Sequence, residues 1–342
     1  MRKSWKVGWW MVVFVLAAGF AITGCTKGSG GEGDAVELMW WNAADEQQDV
    51  LERIAAAFNE KHTHIKVTVQ LQEGDYYAKL QTTLATKSGP DVMWLDATRF
   101  QAFQPLGFLL DITDWAARDN FSFDRFVPAI VETYSAGGRH YGIPKDLDSI
   151  GLFYNKAMFD AAGLDYPTAD WTWEDLREAA RKLTIVENGT TVQWGIALYD
   201  STYVVQFPFI IQNGGDILNE EKNATGFGEP EAIEAVQFIR DMITVDNVSP
   251  DGAYFVENSP SQLFQSGKVA MIMEGSWMGR PFYNALGDKV DVAPLFRGKQ
   301  RGFVTHGIGW VANAATKHPE EVWELLKFLG SEEAATIQAE TG

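Results

Sequence analysis

The chain has 342 residues, 46% of them hydrophobic and 22% charged, so at about 150 residues per domain we expect a globular body of about two domains. The 46 Asp and Glu residues outnumber the 28 Lys and Arg residues, which gives a formal net charge of −18. So acidic a chain is not expected to bind nucleic acid, because nucleic-acid-binding proteins need a basic surface that releases counterions from the phosphates.

Residues 1–24 have the pattern of an export signal. Basic residues near the N-terminus precede an apolar run, Val7–Ile22, which is shorter than the roughly 20 residues of a membrane-spanning helix. The run ends in Ile22-Thr23-Gly24-Cys25, which resembles the lipobox of bacterial lipoprotein precursors. The resemblance implies that Cys25 is diacylated and becomes the mature N-terminus, since two acyl chains anchor stably where one is marginal. An uncleaved anchor helix is the alternative, and both interpretations place the body outside the membrane.

Residues 25–35 are predicted to form the lipidated cysteine and a flexible tether. Thr26–Asp34 is rich in Gly and Ser, a composition typical of linkers. Cys25 is the single cysteine, so no disulfide is expected within the chain.

The body begins with alternating strand and helix patterns. Apolar residues follow either the period of a strand or the i, i+3, i+4, i+7 spacing of a helix. The segments are, in chain order, Glu37–Trp41 (strand), Leu51–Phe58 (helix), Ile65–Leu71 (strand), Tyr77–Leu84 (helix) and Val92–Leu95 (strand). This β-α-β-α-β order predicts a mostly parallel sheet with helices on both faces.

Later segments predict a second α/β lobe over roughly Leu147 to Phe296. Helices are predicted from the capping-box-like Thr172-Trp173-Glu174-Asp175 and from first-turn prolines at Pro230 and Pro319. The last of these helices lies beyond the second lobe. Strand candidates are Trp194–Leu198 and Val269–Met273.

Three strand ends carry an indole beside a polar or small residue. They are Trp40-Trp41-Asn42, Trp94-Leu95-Asp96 and Glu274-Gly275-Ser276-Trp277. Ligands of open α/β sheets bind beyond the carboxyl ends of the strands. An indole face with nearby carboxylates and amides suits a sugar, whose C–H face stacks and whose hydroxyls hydrogen-bond. We expect Trp41 and Trp277 to face a ligand, and Trp40 and Trp94 to lie in the core.

A further segment places Asp146 and Asp148 between a turn and an apolar strand, where a solvated loop is the alternative. With this segment, the order and spacing of eight motifs resemble the extracellular solute-binding lipoproteins of carbohydrate ABC importers, the maltose-binding-protein-like family. The motifs are Trp40-Trp41-Asn42, Gly89-Pro90-Asp91-Val92, Tyr141-Gly142-Ile143-Pro144, Phe153-Tyr154-Asn155-Lys156, Thr172-Trp173-Glu174-Asp175-Leu176, Asn213-Gly214-Gly215-Asp216, Gly275-Ser276-Trp277 and His318-Pro319-Glu320-Glu321.

The resemblance implies a periplasmic-binding-protein-like α/β fold of type II. Its two lobes, each a mostly parallel sheet flanked by helices, would enclose a cleft at the hinge. The first lobe would comprise residues 36–145 plus 298–342, and the second residues 146–297. Family chains usually continue past the point where this sequence stops, so the C-terminal part is expected to be missing and the second lobe incomplete.

The resemblance also implies a set of ligand-binding residues. Trp277 would be the stacking platform, and Asp96 and Asp148 would accept hydrogen bonds from hydroxyl groups. Tyr203 would come from the second lobe, although the alignment there can shift by a residue or two. The full set is Trp41, Asn42, Asp96, Asp148, Tyr203, Gly275, Trp277, His306 and Gly307.

The predicted function is to capture a mono- or oligosaccharide outside the membrane and deliver it to an ABC permease. We expect a monomer without cofactor or catalytic residues. No metal site is expected, because the close pair His62 and His64 lacks a nearby carboxylate pair in the sequence. One alternative is a glycoside hydrolase, with its acid pair drawn from Asp96, Asp148 and Glu274. The other is a receptor for a non-sugar solute.

Overall fold

The structure is a computed structural model that describes residues 35–44, 47–219 and 223–341. The predicted signal peptide, Cys25 and almost all of the tether lie outside these residues. Within the described part of the chain, no helix has the length and apolar character needed to cross a membrane.

The chain forms two α/β lobes. The first part of the chain contains β1 (Val36–Asn42), α1 (Gln48–Lys61), β2 (Ile65–Leu71), α2 (Tyr76–Ala85), β3 (Val92–Asp96), α3 (Ala97–Phe103), α4 (Thr113–Arg118), α5 (Pro128–Thr133), β4 (Ser135–Ala136), β5 (Arg139–His140) and β6 (Gly142–Pro144). The middle part contains β7 (Asp148–Asn155), α6 (Lys156–Ala162), α7 (Trp173–Leu183), β8 (Ile185–Glu187), β9 (Thr190–Gln193), α8 (Phe207–Gln212), α9 (Pro230–Thr244), α10 (Gly252–Glu257), α11 (Pro260–Gln265), β10 (Met271–Gly275), α12 (Gly279–Leu286) and β11 (Val290–Ala293). The last part contains β12 (Thr305–His306), β13 (Ile308–Ala312), α13 (Pro319–Leu329) and α14 (Glu332–Thr341).

The first lobe is built on a five-stranded sheet in the order β2-β1-β3-β13-β6. β1 pairs in parallel with β2 and β3, and β13 runs antiparallel between β3 and β6. One apolar core covers each face. Trp40 and Trp310 pack edge to face at 4.7 Å in the core beneath α1 and α13, whereas Leu80 and Phe100 lie in the core beneath α2 and α3. The predicted mostly parallel sheet with helices on both faces is confirmed for this lobe.

The second lobe has β7 at its centre, between β10 and β11. Both neighbours run antiparallel to β7, which corrects the expectation of a mostly parallel sheet in this lobe. The reason is that β7 starts at the junction of the lobes and runs away from it, while β10 and β11 run back toward it. The predicted strand Trp194–Leu198 forms two isolated parallel bridges, Trp194 to Val269 and Ala197 to Ile272, rather than a regular strand.

The helix-start signals of the sequence are confirmed. Thr172 caps α7 by accepting from the Asp175 backbone N–H, and the Asp175 carboxylate accepts from the Thr172 N–H in return. α9 begins at Pro230 and α13 at Pro319, where a missing N–H costs no intrahelical hydrogen bond.

Two passes of the chain connect the lobes. Near residue 145, the Lys145 N–H donates to the Ile308 carbonyl at 2.8 Å, and the Ile308 N–H donates to Asp146 Oδ1 at 2.8 Å. In the second pass, β12 pairs antiparallel with the start of β7, with His306 opposite Asp148. The Gln300 N–H donates to the Gln212 carbonyl of the second lobe, so residues just beyond 298 still contact that lobe.

Candidate functional site

A cavity of about 610 Å³ lies between the lobes, beyond the carboxyl ends of β3 and β10. Both lobes and both connecting passes contribute to its walls. Its lining residues are Ala43, Ala44, Gln47, Tyr77, Trp94, Asp96, Lys145, Asp146, Asp148, Tyr203, Ser276, Trp277, Arg280, His306, Ile308 and Gln338. The volume is in the range of small-molecule sites, and we call this cavity the cleft.

Asp96 and His306 form a largely buried pair at the cleft. Asp96 ends β3 and caps α3, so its Oδ1 accepts from the Thr98 N–H at 2.7 Å, while its Oδ2 lies 2.8 Å from His306 Nε2. Burial raises the pKa of Asp96, but the hydrogen bonds from His306 and Thr98 outweigh it and hold the pKa below its ordinary value. Asp96 therefore stays ionised, as an acceptor should be.

Asp148 begins β7 and is held by the second lobe. Ser276 Oγ donates to Asp148 Oδ1 at 2.6 Å. Burial raises the pKa of Asp148 and the charge of Asp146 adds to this, while the hydrogen bond from Ser276 lowers it; the net shift is upward. The second carboxylate oxygen can accept a ligand hydroxyl, because Ser276 occupies the first.

Trp277 and Tyr203 form the aromatic wall of the cleft on the second lobe. Trp277 is 37% exposed in a short 3₁₀ turn after β10, and its ring folds back over Gly275. A Cβ at Gly275 would lie 2.0 Å from the indole, so only glycine permits this position. Tyr203 lies in one turn of π-helix, Thr202–Gln206, with its ring 6.5 Å from that of Trp277.

Lys145 and Asp146 form an ion pair on the side of the cleft nearer the first lobe. Lys145 Nζ lies 2.5 Å from Asp146 Oδ2 and 5.0 Å from the centre of the Trp94 ring, and its side chain is only 6% exposed. The pair fixes the connecting pass, because Asp146 also binds the Ile308 N–H. Trp94, expected in the core, is instead half-buried and lines the cleft.

The structure corrects the predicted placement of two residues and refines that of two others. Trp41 is 7% exposed, packs in the core beneath α2 and α3, and does not line the cleft. Asn42 is fully buried and its amide bonds the backbone of Ala44, so it shapes the turn after β1. Gly275 and Gly307 lie behind the lining: the first supports Trp277, and the Gly307 carbonyl accepts from Tyr134.

Of the predicted set, the structure therefore brings Asp96, Asp148, Tyr203, Trp277 and His306 together at the cleft. Sequence reasoning missed several other lining residues, among them the polar residues Gln47, Tyr77, Lys145, Ser276, Arg280 and Gln338. Ser276 belongs to the motif Gly275-Ser276-Trp277, and Lys145 directly precedes Asp146. The neighbouring residues in the sequence could therefore have pointed to both. Gln47 and Gln338 meet only in the folded chain, where Gln338 Nε2 donates to Gln47 Oε1 at 2.8 Å.

Glu274, a candidate acid for the hydrolase alternative, lies outside the lining. Its side chain is buried and accepts hydrogen bonds from Tyr199 at 2.8 Å and Ser261 at 3.2 Å. Burial raises the pKa of Glu274, and these hydrogen bonds only partly offset the shift. These hydrogen bonds tie the end of β10 to neighbouring segments of the second lobe, so Glu274 has a structural role.

The close histidine pair gains a carboxylate neighbour that the sequence did not place there. Glu324 of α13 lies 3.1 Å from His62 Nδ1 and 3.3 Å from His64 Nε2. Among the described residues, no group of three or more His, Cys, Asp or Glu side chains is arranged to hold a metal ion.

Comparisons with known proteins fit this architecture. Residues 44–336 match the family model of bacterial extracellular solute-binding proteins. An arabinooligosaccharide-binding protein of Halalkalibacterium halodurans is 29% identical over 314 residues, 88% of this chain and 68% of that protein.

Two solved structures confirm the two-lobed fold. An ABC substrate-binding protein from Listeria monocytogenes in complex with cycloalternan superposes with a TM-score of 0.83 at 28% identity, over 90% of this chain and 79% of that one. An ABC transporter solute-binding protein from Thermotoga lettingae with bound α-D-tagatose gives 0.80 at 26% identity, over 90% and 80%.

Proposed function

Because the chain belongs to the bacterial extracellular solute-binding proteins, we propose that it captures a mono- or oligosaccharide outside the membrane and delivers it to an ABC permease. The family consists of binding proteins. The relative named for binding arabinooligosaccharide and the two solved structures with cycloalternan and α-D-tagatose support a carbohydrate as the ligand. No covalent step is proposed.

The observation that carries the proposal is the pairing of an aromatic wall with carboxylates across one cleft. Trp277 offers a ring face from the second lobe, and Asp96 at the end of β3 is an ionised acceptor on the first. A sugar ring has an apolar C–H face and a rim of hydroxyl groups, so it matches both surfaces at once.

Capture depends on the ligand touching both lobes. A sugar stacked on Trp277 and bonded to Asp96 has more contacts when the lobes approach, so it favours the closed state by its differential affinity. The permease would then recognise the closed protein. The protein is proposed to act as a monomer, because residues of a single chain line the cleft from both lobes.

The boundaries of the two lobes are proposed at residues 36–145 plus 298–342 and at 146–297. Buried core residues support this division. Those of the first lobe fall within 38–143 and 310–334, and those of the second within 150–296. After residue 298 the connecting segment still contacts the second lobe, as in the bond from Gln212 Nε2 to the Gly302 carbonyl, before it reaches the core of the first lobe.

The proposal is tested by titrating the mature protein with arabino-oligosaccharides, cyclic and linear glucans, and tagatose. Tryptophan fluorescence should change saturably, because Trp277 lies in the cleft, and each sugar should be recovered intact. Cleavage products would favour the hydrolase instead. A flat response to the whole panel, with calorimetry also silent, would overturn the sugar proposal in favour of a receptor for another solute.

We also propose that the protein is held at the outer face of the cytoplasmic membrane by acyl chains on Cys25. Cys25→Ser should release the protein into the medium or the periplasm, because the acceptor thiol is gone. Fractionation followed by immunoblotting measures the shift, with the wild-type chain as the membrane-bound control. Retention of the variant on membranes would instead indicate an uncleaved anchor helix.

A further inference from the structure

His306 contacts both lobes at the cleft. Its Nε2 lies 2.8 Å from Asp96 of the first lobe. The Tyr203 ring of the second lobe stacks on the imidazole with centroids 5.0 Å apart and planes at 17°, and the Trp277 ring meets it edge to face at 5.7 Å. The imidazole therefore joins an acidic group on one lobe to the aromatic wall of the other.

The surroundings of His306 favour its cationic form. Burial lowers the pKa of His306, but the hydrogen bond that it donates to Asp96 and the charges of Asp96, Asp148 and Asp146 raise it more, so the net shift is above the ordinary value. Two cations, Lys145 and Arg280, line the same cleft. Lys145 is bonded to Asp146, which reduces its repulsion of the imidazolium.

Loss of the proton weakens contacts on both sides of His306. The neutral imidazole can still hydrogen-bond to the ionised Asp96 carboxylate, but it no longer has the attraction between two opposite charges that the imidazolium adds to that bond. A cation against an aromatic face also adds an electrostatic attraction that a neutral ring does not supply. His306 Nδ1 is buried and has no hydrogen-bond partner among the described residues, so no further bond on that side replaces these losses.

We propose that His306 is a positioning residue that holds Tyr203 and Trp277 against the first lobe, and that sugar affinity consequently falls as the medium becomes alkaline. This inference rests on the proposed function. It goes beyond that function by assigning to His306 a coupling between the lobes that depends on its charge. The ligand gains because its stacking platform and its carboxylate acceptor are held in register before it binds.

The test measures the dissociation constant of the best sugar of the panel between pH 5.5 and 9.5. In the wild-type protein we expect affinity to fall by roughly five- to tenfold across this range. His306→Gln keeps a donor for Asp96 but cannot take up a proton, so its profile should be flat and weaker at acid pH. His64→Gln changes a histidine that is 61% exposed and outside the cleft, so it should retain the wild-type profile.

A second readout needs no sugar. In the ligand-free protein, the emission of Trp277 is obtained as the difference in fluorescence between chains with and without the substitution Trp277→Phe. This emission should change with pH at the same midpoint as the sugar affinity. The change should be absent in His306→Gln. Asp96→Asn should move that midpoint to lower pH, because the neutral amide stabilises the cation less. Sugar binding with a flat wild-type profile would overturn this inference alone, whereas absence of binding at every pH would overturn the proposed function. A Trp277 emission unaffected by pH would overturn the inference in either case.

Discussion

Trp277→Ala is expected to weaken sugar binding by a factor of about 5 to 150, corresponding to about 1–3 kcal/mol of lost stacking and apolar contact. The second lobe should stay folded. Trp277 is 37% exposed and is absent from the apolar cores of that lobe, so its removal opens no buried cavity. Titration calorimetry with the best sugar measures the loss, and circular dichroism checks the fold.

Tyr283→Ala is the matched control for this prediction. Tyr283 is an aromatic residue of the same lobe, in α12, with 57% of its surface exposed and no place in the lining of the cleft. Its truncation should leave the dissociation constant unchanged within about twofold, because an exposed side chain outside the site contributes little. If Trp277→Ala unfolds the lobe, or binds like the control, Trp277 is not the stacking platform.

Asp246→Ala is expected to lower the free energy of unfolding of the second lobe by about 3 kcal/mol, since it breaks a buried ion-pair network. Asp246 follows α9, its side chain is 4% exposed, and it accepts from Arg177 Nε at 2.5 Å and Arg181 Nη2 at 2.6 Å. Its loss leaves Arg177, which is only 20% exposed, without its principal partner. Urea unfolding followed by circular dichroism measures the change.

The same network predicts a pH dependence. The hydrogen bond from Arg177 and that from Arg181 hold the pKa of Asp246 below its ordinary value of 3.8. A lowered folded-state pKa gives stability that is present above 3.8 and is lost as the pH falls through the folded-state value. The difference between the wild type and Asp246→Ala should therefore be constant near neutrality and shrink in strong acid.

Asp170→Ala removes an aspartate of the second lobe that also pairs with an arginine, but this aspartate is exposed. Its side chain is 92% exposed and lies 3.3 Å from Arg301, so its loss should cost less than about 1 kcal/mol. Equal effects of the two substitutions would show that the Asp246 network behaves as an ordinary surface pair. Two separate unfolding transitions, one for each lobe, would let Asp246→Ala shift only that of the second lobe.

The sequence by itself determined the fold class and several of the residues that line the cleft. The alternating patterns located β1 to β3 because the side chains of strands and helices repeat with different periods. Asp96 and Trp277 were found because they lie at or just after the carboxyl end of a strand, where an open α/β sheet binds its ligand. Asp148, at the start of β7, was implied by the family resemblance. Those are local properties that a single chain segment carries.

Only the tertiary structure decided which aromatic rings reach the cleft. Trp40 and Trp41 point to opposite faces of β1, but helices cover both faces, so both indoles are buried. Trp94 lies where β3 emerges from between those layers, beside Lys145 of the connecting pass, and therefore lines the cleft. Whether an indole is exposed thus depends on the helices that cover its sheet face, and these come from distant parts of the chain. The residues next to the tryptophan in the sequence do not encode that covering.

The same reason applies to pairing across the molecule. Asp96 and His306 are separated by 210 residues, and only the return of the chain through β12 brings them within 2.8 Å. β7 is antiparallel to β10 and β11 because it runs away from the junction of the lobes while they run back toward it. The spacing of apolar residues identifies a strand but does not give its direction. Sequence patterns specify which residues an element offers to each face, and the path of the chain between elements decides which of those residues meet.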